Sequence, residues 1–268
     1  MNYLLQNMIH DQKRNPGDYE KDGILYCGQC GTPRQHKVWP RGSMGDYVVV
    51  PIECRCRKER TYDRQASETR AKEAKRMEHR IRTSGLTQHQ LSMTFDAWAP
   101  ELRKEKPYRV AARYVTNWAT VCAKNSWLLL YGDVGTGKTY MAAAIANALL
   151  QNGKTVRMTS FVEILKDIQS DDINEAEYIE EYIKKPDLLV LDDLGAERST
   201  DYACEKVFGV IDARYQLRKP TIITTNMDVA DLFNTSDIRY RRIYDRIGEF
   251  AFPLRFTGRS LRRPQEAS

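Results

Sequence analysis

The most specific chemistry in the sequence lies in Gly132, Asp133, Val134, Gly135, Thr136, Gly137, Lys138 and Thr139, a complete G-x-x-x-x-G-K-[ST] run. Phosphate binding calls for these residue types at this spacing. Glycines let the chain turn tightly with its N–H groups facing inward, and the turn feeds a helix N-terminus whose dipole favours an anion. Lys138 then neutralises the β- and γ-phosphates and the Thr139 hydroxyl ligates Mg²⁺. Tyr140, next in the chain, is grouped with the loop as a nucleotide-contacting residue.

A second set follows Asp187-Leu-Leu-Val-Leu191, where Asp192 and Asp193 sit at the carboxyl end of an apolar run, the place where α/β sheets bind ligands. Asp192 is expected to hold Mg²⁺, and Asp193 to orient and deprotonate an attacking water. The acidic pair alone would fit a turn or a helix cap equally well; the phosphate loop upstream favours the metal-holding pattern. Asn226, after Thr221-Ile-Ile-Thr-Thr225, offers a neutral polar group for the water or the γ-phosphate.

Cys27-Gly-Gln-Cys30 and Cys54-Arg-Cys56 supply four thiolates, the complement of a structural tetrahedral Zn²⁺. The second pair is tighter than the usual C-x₂-C, so His36 stands as an alternative ligand. A segment this small cannot fold on an apolar core alone, which makes the metal a folding requirement. Cys122 and Cys204 read as ordinary buried thiols.

These residues need elements to hold them. Apolar runs alternating with helical patterns predict strands at 127–131, 155–159, 187–192 and 220–225. Helices are predicted at 138–151, from Ser160, at 201–217, and near 237–247, where the pattern is basic. That alternation predicts a doubly wound α/β core with a parallel sheet. Upstream, residues 57–82 are dense in charge of both signs and contain neither Gly nor Pro, as a solvated connecting helix would be. The expected organisation is a zinc-binding module over 1–56, a charged helical linker over 57–93 and the α/β domain over 94–268. Residues 171–185, rich in Glu and Asp, fit an ordered helix and a mobile acidic insertion equally.

Composition sets the outer bounds. Hydrophobic residues make up 41% of the 268 and charged residues 29%, which excludes collagen-like and wholly disordered chains. No apolar run approaches the ~18 residues of a membrane span. The first fifteen residues lack a basic stretch ahead of an uninterrupted apolar run, so a cytoplasmic location is expected. The 42 Lys and Arg against 36 Asp and Glu give a net charge of +6, which permits contact with nucleic acid without arguing for it.

In order and spacing, GDVGTGKT, LLVLDDLG, TTN, RRIYDRI and FTGRSLR resemble the AAA+ ATPases. More narrowly they resemble the DnaC/DnaI-type loaders of replicative helicase, over roughly residues 94–263, and MTFDAW at 93–98 resembles the short element that precedes the ATPase core in those proteins. The resemblance implies ATP as the nucleotide, with Arg246 as an arginine finger acting on a neighbour's ATP and Arg262 as the sensor-2 arginine. Arg242, one helical turn from Arg246, is the alternative finger. A finger acting in trans implies self-association into a ring or spiral. The resemblance further implies a replicative helicase hexamer and single-stranded DNA as partners, with the zinc module docking on the helicase. The core of IstB-type transposition helpers, which bind duplex DNA and recruit a transposase, looks very similar and gives the competing function.

Overall fold

The run Trp127–Gly132 is apolar on both faces, the mark of a strand buried inside a parallel sheet. In the computed structural model, which describes residues 14–39, 47–170, 172–196, 200–258 and 260–261, it is a central strand of a five-stranded sheet. The described residues fall into two units, Met1–Lys75 and Arg76–Ser268.

The first unit holds two antiparallel hairpins. Strands β1 (Tyr19–Lys21) and β2 (Ile24–Tyr26) form one, and β3 (Gln35–Val38) and β4 (Val48–Pro51) the other. A helix follows at Arg55–Thr83 and has no buried residue. Among its described residues the hairpin unit buries little apolar surface: Leu25, Cys27 and Cys54 are the buried hydrophobics. Its buried charges, Arg34 and Asp18, pair with each other.

The second unit contains β5 (Trp127–Gly132), β6 (Val156–Ser160), β7 (Leu188–Leu194), β8 (Thr221–Thr225) and β9 (Ala251–Phe256). They pair all-parallel in the order β6-β7-β8-β5-β9. Alternate residues feed two cores. Leu128, Leu130, Val190 and Ile222 pack with helix Lys138–Gln151 on one face, and Trp127, Leu129, Leu191 and Ile223 with helices Phe161–Ile168, Asp201–Leu217 and Ile238–Phe250 on the other. Ser160 caps its helix through a capping box with Glu163, the S-x-x-E pattern visible in the sequence.

Three features depart from or complete the sequence reading. The sheet has a fifth strand, β9, which that reading lacks: Pro253 argues against a central strand but is tolerated at the sheet edge. Among the described residues of 171–185, Glu175–Tyr178 is helical and runs on into a π-helix over Ile179–Lys184, with Tyr178 and Ile183 buried, so the acidic stretch is an ordered amphipathic element. Cys204 is buried as expected, whereas Cys122 is exposed.

Candidate nucleotide site and cysteine cluster

Between β5 and the following helix the chain passes through Gly132, Gly135 and Gly137, all at positive φ. Side chains are excluded as well as strained there. A Cβ at Gly132 would lie 2.1 Å from the Phe256 carbonyl oxygen on β9, and one at Gly137 would lie 2.5 Å from the Trp98 ring. The Thr136 hydroxyl donates to the Asp133 carbonyl at 2.8 Å, and the Leu261 N–H to the Gly135 carbonyl at 2.8 Å. Lys138 is buried, its Nζ donating to the carbonyls of Gly132 at 2.8 Å and Asp133 at 2.7 Å. Cation and helix N-terminus therefore face the same space, where an anion is favoured.

The acidic pair arrives from β7. Its ladder with β8 is irregular between Leu191 and Leu194, and Asp193 has φ of 60°, so a bulge turns successive carboxylates to different tasks. Asp192 Oδ1 accepts from the Thr139 hydroxyl at 2.9 Å and from the Thr224 hydroxyl at 2.6 Å. Thr224 also accepts the Asp193 N–H at 2.8 Å, and the Asn226 amide donates to Asp193 Oδ1 at 2.8 Å. Burial raises the Asp192 carboxyl above the usual range against the pull of the Thr224 and Thr139 hydrogen bonds; Asp193 adds to the rise and Lys138 opposes it. A half-buried carboxylate beside a threonine hydroxyl is a hard-oxygen donor pair that fits Mg²⁺.

Gly135, Lys138, Thr139, Asp192, Asp193 and Asn226 thus line one cavity of about 640 Å³. The residue missed by sequence reasoning is Thr224, which links both aspartates. Its signal was available, as a hydroxyl two positions before Asn226 that follows Ile222 and Ile223 at the carboxyl end of the strand.

Arg246 does not line this cavity. On helix Ile238–Phe250, its Nε donates to Asp212 at 2.7 Å, and its guanidinium lies 4.4 Å from the Phe208 ring centroid. Arg242, on the same helix, is exposed. Arg262 lies outside the described residues.

In the first unit the four cysteine sulfurs of Cys27, Cys30, Cys54 and Cys56 lie within 4.8 Å of one another, with Cys56 at 3.6 Å from Cys27 and 3.5 Å from Cys54. A tetrahedral Zn–S bond of about 2.3 Å separates ligand sulfurs by about 3.8 Å, so the donor set fits Zn²⁺. Cys27 and Cys30 flank a tight turn closed by Gly31 N–H on the Cys27 carbonyl; Cys54 precedes the long helix and Cys56 lies in its first turn. The Thr32 hydroxyl holds the Cys30 thiol down to about 5. Arg60 pulls Cys56 down, but burial and the neighbouring thiols outweigh it and push Cys56 up to about 11. His36, on β3, is exposed and outside the cluster.

A family model for IstB-like ATP binding protein matches residues 62–267. The replicative helicase loader DnaI of Bacillus subtilis (strain 168) is 33% identical over 154 residues, which cover 53% of this chain and 49% of that protein. The replicative helicase loader DnaC of Escherichia coli (strain K12) is 26% identical over 194 residues, covering 71% of this chain and 77% of that protein. The crystal structure of DnaI superposes with a TM-score of 0.54 at 26% identity, covering 66% of this chain and 94% of the other. The chain spans about half the length of DnaI and of the similarly matched phage-like element protein XkdC of Bacillus subtilis (strain 168). Among the described residues no helix is long and apolar enough to cross a membrane.

Proposed function

The chain belongs to the IstB-like ATP-binding family and, within it, to the DnaC/DnaI-type AAA+ proteins, and from that premise we propose an ATP-dependent loader that places a replicative helicase hexamer on single-stranded DNA. The observation that carries the reading is the convergence of Lys138, Thr139, Asp192, Asp193 and Asn226 on one cavity in a chain that also gathers four cysteines. Residues 132–139 cradle the triphosphate, with Lys138 bringing positive charge to the β- and γ-phosphates, and Tyr140, next in the chain, lines the same nucleotide cavity. Thr139 and Asp192 would hold Mg²⁺, which when bound neutralises phosphate charge. Asp193, its carboxylate fixed by the Asn226 amide, orients the attacking water and accepts its proton.

Arg246, or its neighbour Arg242, supplies positive charge to the ATP of an adjacent copy, and Arg262 adds to the charge around the nucleotide. Hydrolysis is accordingly slow in the monomer and rises on assembly into a ring or spiral. Residues 1–56 carry Zn²⁺ on Cys27, Cys30, Cys54 and Cys56 and dock on the helicase, 57–93 connect, and 94–268 form the ATPase, working in the cytoplasm. DNA contacts fall on the ATPase domain, with Lys166 and Tyr202 as surface candidates.

The resemblance to IstB-type transposition helpers, whose name the matching ATP-binding family carries, supports a second reading, a helper acting on duplex DNA. Native mass spectrometry of the chain with its resident replicative helicase, with and without a non-hydrolysable ATP analogue, separates the two. A stoichiometric complex that the analogue strengthens in the wild type but not in Lys138→Ala is the expected result. Assembly on duplex DNA with no helicase complex would replace the loader by the transposition helper.

A further inference from the structure

The segment 87–94 forms a wall of the nucleotide cavity that the phosphate loop also lines: Thr87, His89, Gln90 and Met93 face it. Within this wall is the short helix Gln88–Leu91, closed by a capping box between Thr87 and Gln90. Four residues of helix do not hold their place unaided. What holds them comes from far away in sequence. The Asn147 amide, on the buried side of helix Lys138–Gln151, donates to the Gln90 carbonyl at 2.8 Å and the Met93 carbonyl at 2.7 Å. Tyr140, two turns earlier on the same face, donates its hydroxyl to the Thr94 carbonyl at 3.1 Å. At the other end the Met158 N–H donates to the Ser84 carbonyl at 2.7 Å.

Both Asn147 amide bonds go to main-chain carbonyls of a wall that touches the ligand space, while Lys138 and Thr139 rise from the same helix toward the phosphates. We propose that Asn147 and Tyr140 are positioning residues for the nucleoside half of the ligand. They fix the 87–94 wall at a set distance from the phosphate loop, so that the affinity gained from base and ribose, and not that gained from the triphosphate, depends on them. This inference rests on the ATP-site reading above. One rigid helix then sets the geometry of both halves of the site, the phosphate half through its N-terminus and the nucleoside half through side chains spaced along it.

Calorimetric titration of the full chain, with Mg²⁺, against a non-hydrolysable ATP analogue and against inorganic tripolyphosphate tests this. Asn147→Asp keeps the shape but sets an acceptor against two carbonyl oxygens; Tyr140→Phe removes a single hydroxyl and leaves the ring packing on Trp98. The analogue should bind the wild type more tightly than tripolyphosphate does. Its affinity should fall about tenfold in Asn147→Asp and about threefold in Tyr140→Phe, with tripolyphosphate binding unchanged within about twofold. Equal losses for both ligands, or no loss in the milder Tyr140→Phe, would overturn the inference by reducing these side chains to general supports of the fold. A wild type that binds both ligands equally would overturn it and leave the ATP site standing, whereas a wild type that binds neither would remove the ATP site itself.

Discussion

In the cysteine unit the residues proposed to bind a ligand are themselves the core, whereas in the nucleotide unit they hang from a core that exists without them. Around Cys27 and Cys54 the only other buried apolar side chain among the described residues is Leu25, beside the ion pair of Arg34 with Asp18. Around the phosphate loop two apolar clusters sandwich an all-parallel sheet; Asp192 and Thr224 project from its strand ends and Lys138 from the first turn of the helix that follows the loop. With the proposed zinc on the four cysteines, binding and folding would be one event in the first unit and separable events in the second.

The largest effect should come from removing the metal-binding capacity. Replacing Cys54 with Ser, or treating the chain with a strong zinc chelator, withdraws a binding free energy of about 10–16 kcal/mol from a unit with almost no apolar core. The expected outcome, read by limited proteolysis and by NMR amide dispersion, is collapse of the segment 14–54 with the sheet domain intact and still binding ATP. A segment that stays protected without zinc would erase the contrast between the two units.

Arg246→Ala probes the other side of the comparison. The arginine does not line its own cavity and its contacts are a partly exposed ion pair with Asp212 and the Phe208 ring, so the melting temperature should fall by only a few degrees. Assembly-stimulated ATP hydrolysis should fall about 10³-fold, the scale of an arginine finger, with ATP affinity unchanged. If Arg242→Ala has that effect and Arg246→Ala does not, the finger is the exposed arginine one turn earlier.

The same contrast governs how much of the molecule could be read in advance. Elements set by local periodicity were legible: β5, the phosphate-loop helix, the helix start at Ser160, β7 and β8 all lie within a residue or two of where the sequence pattern put them. Features set by partners distant in sequence were not. Arg214, which a sequence would put on a solvated helix face, is fully buried and donates to the carbonyls of Ile183, Pro186, Asp187 and Pro220 and to the Thr221 hydroxyl. Burial brings its guanidinium down to about 9. Likewise Asn147 looks like a helix residue of no account until Gln90 and Met93 are brought to it. In the cysteine unit the spacing itself was the signal, because four residues of one type carry the organisation.

The smallest expected effect concerns Asp212. It holds Arg246 at 2.7 Å in a pair about three-tenths exposed on each side, with Phe208 beneath the guanidinium. Such a pair is worth about 1 kcal/mol, because water screens it, and the ring contact survives its loss. Asp212→Asn should therefore cost at most about 1 kcal/mol of stability, a shift of only a few degrees in melting temperature. Its effect on hydrolysis has a sign. If Arg246 must leave Asp212 to reach a neighbour's ATP, the ion pair lowers the fraction of copies with a competent finger, and removing the charge raises assembly-stimulated turnover by up to about fivefold. A fall in turnover with unchanged ATP affinity would mean that Asp212 orients the finger instead of retaining it, making the acidic partner part of the trans site. Either sign keeps the change in rate apart from the change in fold, which is the separation that the nucleotide unit has and the cysteine unit lacks.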